Sequence, residues 1–267
     1  MPENKKENLF YLLGFQRSGT TLLSYLMDSH PDILCADEPE FAKRIIYNQH
    51  EKLSDLTNDS IRKNLDFYKA DKAKYKALAC EFRNGNLTEA EFLKSAYSLL
   101  NTKNAKRIGA KEVVDIASLK FDFPSRLIAI HQPGTKYIFI ERDIKGVVSS
   151  FIKMGFFPPG KRRINNINLA KFAKKYRKII KHAKSVIPQE KTLYITFEEL
   201  LTQPDEMMKK IYTFLDVNST PEMISEILTT PRNGVRNRYS AINENIKDNW
   251  KQILTEKQIK TLRKIGD

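Results

Sequence analysis

Leu9-Phe10-Tyr11-Leu12-Leu13-Gly14-Phe15-Gln16-Arg17-Ser18-Gly19-Thr20-Thr21-Leu22-Leu23 is the stretch that decides the fold. An apolar run of strand length ends at Gly14, and an apolar-rich helical segment begins near Thr20. The loop between them has the frame G-x-x-x-x-G-T-T, the spacing of a phosphate-cradling P-loop with Thr20 where lysine is expected. A tight loop feeding a helix N-terminus aims unpaired backbone N–H groups and the positive end of the helix dipole at one spot. Ser18, Thr20 and Thr21 add hydroxyls around Gly19, and Arg17 adds a permanently charged fork suited to phosphate. The plain alternative is an ordinary strand–turn–helix corner. The clustering of Arg, Ser, Thr and Thr favours anion binding.

The rest of the chain has to carry a core and a partner for that loop. Its 267 residues suffice for one α/β domain with a sizeable insertion, and 41% hydrophobic with 29% charged residues describes a globular protein. No run of about 18 apolar residues is present, so no membrane-spanning segment is expected. The polar start, Met1 to Asn8, does not read as a signal peptide. Cys35 and Cys80 have no metal-ligand spacing and fit two free thiols, so a cytoplasmic protein without a bound metal is the expectation. The net charge of +14 attracts polyanions, among them a multiply charged nucleotide. The lysines are spread along the chain, and without a recognisable DNA- or RNA-binding motif nucleic acid is not an expected partner.

A second informative stretch is Lys136-Tyr137-Ile138-Phe139-Ile140-Glu141-Arg142-Asp143-Ile144, followed by Ser150. Its uninterrupted apolar run predicts a strand buried on both faces, with a helix beginning near Ile144. Arg142 and Ser150 lie about two helical turns apart. Upstream, Ile33 to Ala36 predicts a short strand, and Pro39 stops regular structure just past Asp37 and Glu38. Acids beyond a strand end, close to a phosphate loop, sit where α/β proteins place their chemistry. Residues 42–104 read as a charged, helix-rich insertion covering the sheet's edge. Its helices are expected over Ala42–Tyr47, Ser60–Arg83 and Thr88–Leu100, the last opened by the capping box Thr88-Glu89-Ala90-Glu91. One further helix is expected over Ser118–Ile130, and an amphipathic one from Leu169 to Val186. Leu193 to Leu201 reads as a strand and turn, with Pro204 opening a helix.

Gly14 to Leu23, followed by His30-Pro31-Asp32, resembles the 5′-phosphosulfate loop of sulfotransferases, in the bacterial group similar to tyrosylprotein sulfotransferases. The resemblance implies a P-loop-like three-layer αβα fold with a central, mainly parallel sheet, the whole of 1–267 forming one domain. It also implies 3′-phosphoadenosine 5′-phosphosulfate (PAPS) as donor, adenosine 3′,5′-bisphosphate (PAP) as product, and a hydroxyl or amine acceptor. By alignment from Arg17, Glu38 takes the place of the family's base, with Asp37 the neighbour that could be confused with it. Lys111, in Arg107-Ile108-Gly109-Ala110-Lys111-Glu112, fits the place of a catalytic lysine, though a surface lysine is the alternative. Arg142 and Ser150 match the 3′-phosphate element R-D-x-x-x-x-x-x-S. Phe197 replaces the usual Tyr of the V-x-Y-E-D-L-L segment. Glu40 stands where tyrosylprotein enzymes carry Arg, so acceptor recognition is expected to differ.

Toward the C-terminus, Arg238, Ser240 and Lys247 are candidates for closing the donor site, although no R-K-G loop is found. His131 is a rival base. The alternative enzyme class is a P-loop nucleotide kinase or NTPase, which calls for Lys at position 20. Acceptor class and oligomeric state are not legible.

Overall fold

The computed structural model describes residues 9–57, 59–130, 134–155, 166–230, 232–233, 238–239, 242 and 244–266. Five strands, β1 (Leu9–Phe15), β2 (Ile33–Asp37), β3 (Arg107–Val114), β4 (Lys136–Glu141) and β5 (Thr192–Thr196), form one sheet in the order β2-β3-β1-β4-β5. All four pairings are parallel, with Leu12 between Lys111 and Ile138. Parallel strands need crossover connections, and here helices fill them on both faces.

Side-chain alternation along β1 divides the core in two. Phe10 and Leu12 face one layer, made by α1 (Thr20–Asp28), α10 (Phe197–Thr202), α11 (Pro204–Phe214) and α12 (Pro221–Thr229), through Leu23, Leu26, Leu200, Met208 and Ile211. Tyr11, Leu13 and Phe15 face the other. That layer holds α2 (Phe41–Ile46), α3 (Asp59–Phe67), α4 (Lys72–Arg83), α5 (Glu89–Leu100), α6 (Ile116–Phe121), α7 (Phe123–Ile130), α8 (Ile144–Lys153), α9 (Asn166–Val186) and α13 (Glu256–Gly266). Phe41, Phe92 and Tyr176 are buried there, each of the order of 2 kcal/mol of transferred apolar surface. The architecture is the expected three-layer αβα.

The 42–104 segment covers both a face and an edge. Its apolar residues pack on the Tyr11 face, while its Asn64 and Tyr68, together with Asp28 of α1, serve the outer edge of β2. There the Cys35 N–H donates to Asp28 Oδ1 at 2.9 Å, the Tyr68 hydroxyl donates to the Cys35 carbonyl at 3.4 Å, and Asn64 Nδ2 donates to the Asp37 carbonyl at 3.0 Å. An edge strand's backbone groups are thus occupied by side chains.

Three sequence expectations need correction. Ser60–Arg83 is two helices, because Lys69 takes a left-handed φ of 53° and Asp71 caps α4 through the N–H groups of Ala73 and Lys74. Ser118–Ile130 is likewise two, broken where Asp122 adopts φ 46°. The turn expected after Thr196 is instead helix α10, opened by a Thr196/Glu199 capping box. The Thr88/Glu91 box expected at α5 is present, with Glu91 N donating to Thr88 Oγ1 at 3.2 Å.

Candidate active site

The Gly14–Thr21 loop connects β1 to α1 through two left-handed residues, Arg17 at φ 69° and Gly19 at φ 90°. Gly19 is required twice over. Its φ disfavours any Cβ, and a Cβ built there would lie 2.2 Å from the Phe197 ring. Gly14 is a place of close approach instead, where a Cβ would meet the Ile140 carbonyl at 2.6 Å. The Ser18 hydroxyl is fully buried and has no hydrogen-bond partner among the described residues.

The mid-chain element reaches this loop directly. β4 ends at Glu141, Asp143 caps α8 by accepting from Lys145 N, and Arg142 between them turns toward β1. One Arg142 guanidinium N–H donates to the Arg17 carbonyl at 3.1 Å, and Arg17 Nε donates to Ser150 Oγ at 2.9 Å. Arg17 therefore meets Arg142 and Ser150, more than a hundred residues further along the chain, at one point. Tyr176 holds the Arg142 carbonyl at 2.7 Å, and the Phe197 ring lies 4.3 Å beneath its guanidinium carbon. Gly146 makes room for the side chain: a Cβ there would be 2.5 Å from Arg142 Nε.

Charge is concentrated here. Burial pulls the Arg142 guanidinium below its usual pKa; Glu198 opposes the fall and the neighbouring Arg17 adds to it. Arg142 Nε, like Ser18 Oγ, is buried without a hydrogen-bond partner among the described residues. Two guanidiniums beside two unused polar atoms make a cradle for an anion with several oxygens. A cavity of about 1000 Å³ borders Arg142, with Lys145, Lys178, Lys181 and Glu198 in its lining.

The acidic end of β2 lies on the other side of the loop. Glu38, with φ 46°, places Oε1 3.0 Å from Lys111 Nζ, and its side chain keeps 21% exposure. Asp37 is fully buried; it pairs with Lys111 and accepts from the Tyr25 hydroxyl at 2.9 Å. Of the two neighbouring acids, Glu38 alone is open to a second molecule. Lys111 is itself buried, and its ammonium also donates to Thr21 Oγ1 at 2.8 Å. Position 20 lacks the P-loop lysine, yet an ammonium group reaches the first turn of α1 from β3. Thr20 is 3% exposed, and its methyl packs against Gly14.

Three features escaped sequence reasoning. The Tyr25–Asp37–Lys111 arrangement depends on β2 and β3 pairing in register at Asp37 and Lys111, and no local motif signals it. Phe197 was visible as a departure from Tyr; its role as a platform under Arg142 was not. Glu112 is a fully buried acid whose pKa desolvation pushes up to about 8, with Lys43 opposing and Glu38 and Glu40 adding. Its carboxyl oxygens have no hydrogen bond of ordinary geometry among the described residues, and the Tyr97 hydroxyl faces it. Ser240 and His131 lie outside the described residues, as do the side chains of Arg238 and Lys247.

Comparison with known proteins identifies the family and the fold. The chain is 26% identical over 223 residues to the protein-tyrosine sulfotransferase of Drosophila melanogaster, covering 80% of this chain and 39% of that protein. It is 23% identical over 219 residues to a putative protein-tyrosine sulfotransferase of Caenorhabditis briggsae, covering 82% of this chain and 69% of that one. The chain thus spans well under half the length of the fly protein. In fold it is similar to the sulfotransferase domain of the Synechococcus PCC 7002 olefin synthase (TM-score 0.67, 18% identity, 100% of this chain and 97% of that one). The sulfotransferase domain from the curacin biosynthetic pathway is similar too (TM-score 0.66, 17% identity, 96% of each chain). A family model described as "Sulfotransferase family" matches residues 10–221, most of the chain and every residue of the two grips and the acidic end of β2. The chain belongs to the sulfotransferase family.

Proposed function

We propose that this chain transfers a sulfuryl group from PAPS to a hydroxyl or amine acceptor. The observation that carries the proposal is the meeting of Arg17, Arg142 and Ser150 at one cradle that also holds the unused Ser18 Oγ and Arg142 Nε. These residues fit a doubly phosphorylated adenosine: the loop and Arg17 at its 5′ end, Arg142 and Ser150 at its 3′-phosphate. PAPS supplies the sulfuryl group and leaves as PAP.

The protein's part is positioning and charge. Glu38, half-buried at the sheet's C-terminal edge, accepts the acceptor's proton, a contribution of about 10²–10⁴-fold for a placed base. The loop N–H groups and Arg17 offset negative charge that builds on the departing phosphate, usually the larger effect. Lys111 adds its charge from below, through Thr21 and Glu38. Glu40, in the place of an Arg in tyrosylprotein enzymes, bonds Arg44 at 2.5 Å and Ser60 at 3.2 Å and ties α2 to α3. The acceptor side therefore differs at that position from the tyrosylprotein enzymes.

Competition binding tests the reading. PAP should bind far more tightly than ATP with Mg²⁺, and far more tightly than DNA. Equal affinity for Mg²⁺-ATP would instead support a nucleotide kinase.

A further inference from the structure

Lys111 is the most heavily committed side chain near the loop. Its ammonium is 1% exposed and is surrounded by three oxygens: Thr21 Oγ1, Glu38 Oε1 and Asp37 Oδ1. The Thr21 contact is a hydrogen bond, and the two carboxylates share the ammonium as ion pairs. The two carboxylates are not equivalent. Asp37 is wholly buried, sits opposite Lys111 in the β2–β3 register and is gripped from behind by the Tyr25 hydroxyl of α1. Glu38 is on a left-handed residue beyond the strand and reaches the surface.

That asymmetry has a chemical meaning. A lysine paired with one carboxylate stabilises its ionised form and makes it a poor proton acceptor. A second, immovable carboxylate on the same lysine cancels that effect. We propose that Asp37, clamped by Tyr25, is a positioning residue that takes up the Lys111 charge and so leaves Glu38 able to capture a proton. This rests on the reading of Glu38 as base. Tyr25 serves the same end by fixing Asp37 away from Glu38, so that the shared charge cannot pass wholly to the exposed acid.

The other charged groups around Glu38 do not supply this balance. Glu40 is engaged with Arg44 and Ser60. Glu112 is within electrostatic reach of Glu38, but burial lifts its pKa to about 8, so below that pH it is mostly neutral and carries little charge toward Glu38. Only Asp37 shares Lys111 directly with Glu38 among the described ion pairs.

The test is the titration of the Glu38 carboxyl, followed by NMR with carboxyl-¹³C glutamate and assigned by the signal lost in Glu38→Gln. In Asp37→Asn, nearly isosteric, the midpoint should fall by about one pH unit, because Lys111 then pairs with a single carboxylate and a repelling charge is gone. Tyr25→Phe removes one hydrogen bond and should move the midpoint the same way by less. Lys111→Met should move it upward. An unchanged or raised midpoint in Asp37→Asn overturns the proposal; should that variant not fold, an unchanged midpoint in Tyr25→Phe does so. PAP binding to the wild-type chain is measured alongside. Its absence would sink the sulfuryl-transfer reading alone, since the titration decides the role of Asp37 either way.

Discussion

Replacing Glu112 by Gln should stabilise the protein, and the gain should grow with pH. Glu112 lies on β3 next to Lys111 but on the opposite face, fully buried among Tyr11, Tyr97 and the base of α2. Its pKa rises from 4.5 to about 8, chiefly by desolvation, with Lys43 opposing the rise. Between those values the native state holds a proton that the unfolded chain has released, so stability falls as pH rises through the window. One pKa unit corresponds to about 1.36 kcal/mol, so the cost is about 1 kcal/mol at pH 5 and about 3 kcal/mol at pH 7, levelling off above pH 8. An amide fills the site of the neutral acid without titrating. Urea unfolding of wild type and Glu112→Gln at pH 5, 6, 7 and 8 should therefore give curves that diverge steadily in favour of the variant. A difference that stays flat, or a variant that loses more at pH 8 than at pH 5, would refute the assignment of a buried, protonated carboxyl.

Four further outcomes are expected. Arg142→Ala removes a charge-assisted grip worth about 1.5–3 kcal/mol, so calorimetry should show PAP affinity falling by roughly 10- to 100-fold. Glu38→Gln should keep PAP affinity while slowing sulfuryl transfer by about 10²–10⁴-fold in a labelled-donor assay. Gly19→Ala forces a left-handed alanine against Phe197 and should cost about 1–3 kcal/mol in a urea melt; the loss should shrink in a Phe197→Ala background. Thr88→Ala breaks the α5 capping box and should cost about 1 kcal/mol without touching PAP binding.

The elements built from local periodicity are legible in the sequence. β1, α1 and β4 follow from apolar runs and the glycine frame, and α5 follows from its capping box. The breaks at Lys69 and Asp122 were not, because a non-glycine residue with positive φ leaves no compositional trace. In the site, Arg17, Arg142 and Ser150 could be named one by one from motifs. Their mutual contact could not, since it depends on β1 and β4 lying side by side. Lys111 shows the same limit more sharply. Sequence marks it as the lysine that ends a short strand, whereas β3 runs on to Val114 and the setting of Lys111 comes from a tyrosine on α1 and an aspartate on β2, brought together by sheet register and helix packing. Pattern identifies the parts that touch a ligand. The parts that tune them act through tertiary contacts.

The occupied rim of β2 bears on how copies of the chain can associate. Strand addition from a neighbouring molecule would have to displace Asp28, Asn64 and Tyr68 from the backbone of Cys35 and Asp37. It would do so next to the acid proposed to take the acceptor's proton. Association along this border would therefore break the side-chain contacts that hold the strand leading into Glu38.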